Sequence, residues 1–385
     1  MPVCRSLGRA GVPVIALGQA GDPIQSSRYC TRFIEVEGGP GAGRRWLDAL
    51  LHRTPPGVLM PVSDDGVEVV LRNEPSLTKL GFVPFEADRE AILTALDKGR
   101  CYDVATKAGV AVPRSALLRR PEDLEPALEQ IDFPCGLKPL EGHLFRAETG
   151  SYEKVIPVAG RSELIALADP WLQAGLQFML TEIVPGDDDQ LYSLLTYLDG
   201  SGEPLFEFTT RKLRQDPPHF GVGCYFLHEE HPAVTAAALR FLRACGYRGI
   251  AQIEFKRDAR SGEFKLIECN PRIALPIALT TASGLDVPLF IYRRLLGATG
   301  PELKVLRPGL RLWHPLPDFR SARQLRREGE LTRLQWVRSL LHRQRLTVWA
   351  RDDPWPSIVN YAQALSAALR RRIRRKSGKS GATDA

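Results

Sequence analysis

No stretch of eighteen consecutive apolar residues occurs in this chain, so a conventional membrane-spanning helix is not expected. The opening MPVCRSLGRAG does not form a signal peptide, and a cytoplasmic location is expected. Cysteine is scarce, with seven residues, an odd number, and no C-x-x-C pair. That distribution fits reduced thiols better than a disulfide frame or a zinc site. There is no serine, cysteine or histidine constellation of the kind nucleophilic catalysis uses, and no recognised nucleic-acid reading motif. Positive charge is also missing from most of the chain, despite a formal net charge of +7. From residue 301 onward there are 19 Lys+Arg against 7 Asp+Glu, a balance of +12, which leaves −5 for residues 1–300. The basic character belongs to the C-terminal segment and says little about a catalytic partner. What is present is a chain of 385 residues, 44% of them hydrophobic, which suffices for a large core in two or three packed units.

The most informative stretch is GIAQIEFKRDARSGEFKLIECNPR, residues 249–272. Two alternating runs, Ile250–Lys256 and Glu263–Cys269, flank the turn-rich RDARSG, where Gly262 can supply a positive backbone dihedral. A hairpin symmetric about Ser261 sets Glu254 opposite Glu268 and Gln252 opposite Asn270, all on one face. Ile253, Phe255, Ile267 and Cys269 then point into a core. Two facing carboxylates repel unless a cation or a shared proton lies between them. A hard divalent ion bound by carboxylate and amide oxygens resolves the conflict. Arg272, after Pro271, adds a fixed fork for phosphate or carboxylate. A solvated polar face on an edge hairpin is the plainer alternative.

An IEF strand, a hairpin and a strand ending E-x-N-x-R resemble the metal-binding end of ATP-grasp enzymes such as biotin carboxylase and carbamoyl phosphate synthetase. The resemblance implies that Glu254, Glu268 and Asn270 hold magnesium (or manganese) on ATP, and that Arg272 contacts an acyl phosphate or substrate carboxylate. It covers roughly residues 1–297. The segment DKGRCYDVATKAGVAVP (97–113), with Tyr102, Ala105 and Ala108 at helical spacing and Gly109 as a stop, is similar to the start of the ATP-grasp domain. Lys98 then matches the first phosphate-binding lysine. Lys138, closing the apolar run FPCGLKP, matches the second. A lysine there calls for an anionic partner in any case. After it, LEGHLFRAETGSYEKV keeps only Gly142 and Gly150 where many relatives have a glycine run, so a lid built from side chains such as His143 and Arg146 is expected. The resemblance places Glu182 and the backbone of Ile183 and Val184 at the adenine edge. It puts one acid after Gly186, with Asp189 chosen, on the ribose; a solvated turn would look the same. RKLRQDPPHFGVG suggests a loop closing over an anion, with Arg211 and Lys212 assigned to the γ-phosphate or the substrate carboxylate. His219 reads as structural.

Toward the N-terminus, strands at 12–18, from Arg32 and at Gly57–Pro61, and a helix capped by Ser63 or Asp64, suggest a small parallel α/β layer. The expected fold class is α/β and α+β. It is an ATP-grasp fold with an N-terminal Rossmann-like layer short of its first strand and a basic, partly helical C-terminal extension. The expected divisions are 1–95, 96–297 (with subdomains about 96–175 and 176–297) and 298–385. SIVNYAQALSAALRRRIRRK is amphipathic, with Ile358, Tyr361, Leu365, Leu369 and Ile373 on one stripe. It reads as a helix docked on the enzyme with a polar tail, or as a contact for an anionic membrane surface. The expected activity is an ATP-dependent carboxylate–amine ligase acting on small molecules through an acyl phosphate. A kinase for a non-carboxylate acceptor, a non-catalytic nucleotide-binding protein, and a nucleic-acid or membrane adaptor resting on the tail alone are the rivals.

Overall fold

The computed structural model describes residues 1–39, 41–151, 153–298 and 308–366. The chain packs as two compact units, one formed by residues 1–37 together with 346–385 and the other by 38–345. This division differs from the three consecutive parts expected from the sequence.

In the first unit, helix Pro2–Arg9 carries its proline at the start, where a missing N–H is harmless. It precedes two parallel strands, β1 (Ile15–Gly18) and β2 (Arg32–Glu35), with Ile15 opposite Arg32. Arg5 is buried on this helix, and its Nε donates to Asp353 Oδ2 at 2.8 Å. Ser27 Oγ and the Arg28 amide donate to the same carboxylate at 2.7 and 2.9 Å. Burial works against ionisation of Asp353, but Arg5, Ser27 and the Arg28 amide outweigh it and hold the carboxyl below its usual range. Residues 355–366 are helical, with Ile358 and Leu365 exposed. Leu369 and Ile373 of the expected apolar stripe lie outside the described residues, as does the arginine-rich end of that segment.

In the second unit a four-stranded antiparallel sheet contains β3 (Ser115–Leu118), β4 (Cys135–Pro139), β5 (Ile156–Val158) and β6 (Phe178–Glu182), in the order β3-β6-β4-β5. A larger sheet contains β7 (Leu191–Leu198), β8 (Pro204–Asp216), β9 (Val222–His228), β10 (Gly249–Arg257), β11 (Phe264–Asn270), β12 (Arg311–Trp313) and β13 (Gln344–Leu346). Its order is β11-β10-β7-β8-β9-β12-β13. Helix Lys98–Lys107 contributes Tyr102 and Ala105 to the core under this sheet, and helix Pro232–Ala244 contributes Val234, Ala238, Phe241 and Leu242. They meet Leu194, Ile253 and Phe255, alternate residues of β7 and β10 that share the inward face. Each such side chain, fully buried, contributes roughly 1.5–3 kcal/mol.

Ser63 caps helix Asp64–Lys79, accepting from the Gly66 amide at 3.1 Å. The strand expected at Gly57–Pro61 shrinks to one parallel bridge, Val58 to Val83. Prolines at 55, 56 and 61 remove the amide donors a longer ladder would need. The C-terminal part is more deeply built in than its charge suggested. Asp318, on helix Pro315–Glu328, is fully buried and accepts from Arg214 Nε at 2.6 Å and from the indoles of Trp313 and Trp336 at 2.9 and 3.0 Å.

Candidate functional site

The hairpin register is the one expected from the alternation. Gln252 faces Asn270, Ile253 faces Cys269 and Glu254 faces Glu268. The turn closes through Asp258 and Glu263, and Gly262 takes φ 75°. Beyond Glu254 the ladder slips, so that Phe255 pairs with Leu266. The extra residue is Ile267, and this β-bulge reverses its expected orientation. Leu266 enters the core in its place, while Ile267 lines a cleft.

That cleft, about 940 Å³, lies within the second unit. Lys98, Lys138, Glu182, Ile183, Val184, Lys212, Glu254, Glu268, Asn270 and Arg272 all line it. Ten residues singled out across 175 positions of sequence thus converge on one cavity. Asp189 and Arg211, expected at the ribose and at the γ-phosphate or substrate carboxylate, are not among its lining residues. Neighbours on a strand face opposite ways, so once Lys212 points into the cleft Arg211 points out. Arg211 instead donates to the Asp189 carboxylate at 2.7 Å and its carbonyl at 2.6 Å, and stacks over Tyr192.

Charge in the cleft is tightly balanced. Lys212 Nζ donates to Glu254 Oε2 at 3.1 Å. Burial opposes the Lys212 charge, but Glu254 and Glu268 outweigh it and raise its pKa. Glu268 also ionises against its burial. Lys154, the Asn270 amide, Lys212 and Lys138 together hold its carboxyl down at about 2. Lys154 was not singled out from the sequence, because no pattern marks it. It follows helix Gly142–Thr149, which occupies the place expected for a lid and ends at Gly150 with φ 70°. Gly142 and Arg146 of that helix line the cleft. Glu182 is committed to Lys265 and to Arg114 (3.2 Å), and Ile183 and Val184 line the cleft beside it. Lys98 Nζ donates to the carbonyls of Pro139 and Leu140 at 3.2 and 3.3 Å. Arg272 Nε donates to Asp64 Oδ1 at 2.6 Å, and its Nη2 to Asn270 Oδ1 at 3.0 Å.

Two glutamates directly across a ladder form a carboxylate pair suited to magnesium. Asn270 beside them turns its Nδ2 to Glu268 Oε1 at 3.2 Å and its Oδ1 to Arg272, so its amide must turn over to add an oxygen to that set. The lysines around them suit a polyphosphate. Burial pushes Lys138 down to about 8, Glu268 opposing and Lys98 adding to the effect. A bound phosphate favours the ammonium form, so binding above that pH requires proton uptake. ATP affinity is expected to hold below pH 8 and to fall by up to roughly tenfold per unit as pH rises through Lys138's free-state value. Calorimetric titration from pH 7 to 9.5 measures this. Lys138→Arg, which stays charged throughout, should flatten the profile, and an unchanged slope in that variant would remove Lys138 as its source.

Residues 225–303 match the family model of the carbamoyl-phosphate synthase L chain, ATP binding domain. The chain is 22% identical to a D-aspartate ligase of Enterococcus faecium (strain Aus0004) over 295 residues, 72% of this chain and 70% of that one. It is 25% identical over 271 residues to the N-terminal section of a carbamoyl phosphate synthase large chain from Aquifex aeolicus (strain VF5). That alignment covers 67% of this chain and about half, 47%, of the relative. Among solved structures, a biotin carboxylase complex from Campylobacter jejuni superposes with a TM-score of 0.57 at 16% identity, over 79% of this chain and 70% of that one.

Proposed function

We propose that the chain, which has the fold of the biotin carboxylase structure and matches an ATP-binding family model over residues 225–303, is an ATP-grasp carboxylate–amine ligase working through an acyl phosphate, with residues 96–297 as its catalytic part. The observation that favours a carboxylate substrate over an alcohol is the Arg272 fork. It lies at the end of the glutamate-bearing hairpin and already grips a carboxylate, that of Asp64. Asp64 is half exposed and can leave, so a substrate carboxylate can take the same fork beside the phosphate-binding lysines. The similarity to a D-aspartate ligase supports an amino compound as the second substrate.

In this reading the carboxylate oxygen attacks the γ-phosphorus of ATP, ADP leaves, and an amine then displaces phosphate to give an amide. Phosphorylation turns a poor leaving group into a good one. Magnesium, when bound, supplies charge neutralisation on the phosphates through Glu254, Glu268 and Asn270. Lys98, Lys138 and Lys212 hold the triphosphate, Arg272 orients the acceptor carboxylate, and Ile183 and Val184 present backbone donors and acceptors to the base.

Hydroxylamine distinguishes this reaction from its rival. With ATP, magnesium and the correct acid, but no natural amine, hydroxamate should form in step with ADP. Arg272→Ala should lower both products together, by roughly a hundredfold, with a smaller effect on ATP binding. A phosphorylated alcohol or amine, with no hydroxamate from any acid that stimulates ADP release, would establish a kinase instead.

A further inference from the structure

Among the described residues, three metal-type ligands converge away from the hairpin: His219, Glu328 and Glu330. His219 sits on the loop between β8 and β9, and residues His219 to Gly223, running from that loop into the start of β9, line the cleft. Glu328 ends helix Pro315–Glu328. Gly329, at φ 82°, then reverses the chain and brings Glu330 alongside. His219 Nε2 lies 3.6 Å from Glu328 Oε2 and 3.7 Å from Glu330 Oε1. These separations are too long for hydrogen bonds. They are close to the roughly 3.4 Å edge of a tetrahedron whose metal–ligand bonds are about 2.1 Å.

Each side of this group is held independently. The His219 amide donates to both oxygens of Asp188, at 3.0 and 3.1 Å, and the buried Asp188 is fixed by the Gln215 amide at 2.7 Å. His219 takes φ 70°, a conformation few residues other than glycine adopt. On the other side, Gln324 Nε2 donates to Glu328 Oε1 at 3.0 Å, leaving Oε2 to face the imidazole. The Glu330 amide is anchored to the Leu325 carbonyl at 2.9 Å. Orienting contacts of this kind are what a ligand set needs behind it. Two carboxylate oxygens and one imidazole nitrogen brought this close together are a donor set that a divalent cation can join. The mixed nitrogen and oxygen set selects a transition metal over magnesium or calcium.

We propose that His219, Glu328 and Glu330 form a three-ligand site for a divalent transition metal, zinc fitting it best, and that the ion clasps loop 217–223 to the end of helix Pro315–Glu328. The loop borders the cleft, so occupancy of this site restrains one wall of it. The site uses none of the residues assigned to nucleotide or magnesium.

Zinc titration of the full chain without nucleotide tests the proposal by calorimetry, paired with amide hydrogen exchange on 217–223. Wild type and Glu268→Gln should both bind one ion and slow exchange in the loop. His219→Asn, which tolerates the same backbone conformation but does not reach the glutamates, should abolish both effects. Gln324→Ala should weaken binding by roughly ten- to a hundredfold. Equal zinc binding by wild type and His219→Asn, or loss of binding in Glu268→Gln, would overturn the site. Zinc binding that leaves exchange in 217–223 unaltered would overturn the clasp. None of these outcomes depends on hydroxamate formation, so a failed ligase assignment and a failed zinc site remain distinguishable.

Discussion

Glu268→Gln is expected to abolish magnesium-dependent ATP turnover, with a loss of roughly a hundred- to a thousandfold or more, while the protein stays folded. The amide keeps the shape of the acid but removes one of the two charges that face each other across the hairpin. In the native cleft that charge is surrounded by Lys138, Lys154 and Lys212. Its removal takes one counter-charge from those ammonium groups, Lys212 keeping Glu254, and takes a ligand from the proposed magnesium site. Circular dichroism should match wild type while ADP release collapses. Undiminished magnesium-dependent turnover would show that the facing glutamates are not the metal site.

The largest expected effect on stability lies far from the hairpin in sequence. Asp318→Ala removes the only carboxylate paired with the Arg214 guanidinium among the described residues, along with the acceptor for two tryptophan indoles. An uncompensated buried charge of this kind costs about 3–5 kcal/mol, a large share of a typical folding free energy. The denaturation midpoint should fall accordingly. Arg214→Met combined with Asp318→Leu should recover much of the loss, since apolar replacement of a buried ion pair is often neutral. A loss below about 1 kcal/mol in Asp318→Ala would mean that water reaches Arg214 in solution.

Much of the cleft was legible because strand alternation is a rigid rule. It set Glu254 against Glu268 and brought Gln252 and Asn270 to the same face. It also separates Arg211 from Lys212, neighbours on β8 that face opposite ways. Ile267 was not legible, because a bulge depends on how the two strands pack rather than on their composition. Lys154 stayed hidden for a related reason, since its contribution arises only from where helix Gly142–Thr149 delivers it. The C-terminal segment misled through its charge. Its many arginines marked it as a basic extension but gave no sign of Asp318, the buried carboxylate that ties helix Pro315–Glu328 to the sheet.

The Arg5–Asp353 pair joins residues 348 positions apart, and the residues between them include an entire compact unit, 38–345. During synthesis at about 5–20 residues per second, helix Pro2–Arg9 must therefore wait roughly a quarter of a minute to a minute for its carboxylate. Over that interval the large unit can fold from its own contiguous chain, whereas the small one cannot be completed. A ribosome that stalls late, or a protease that clips before Asp353, would strand Arg5 without a counter-charge. Damage at one terminus would then be felt at the other.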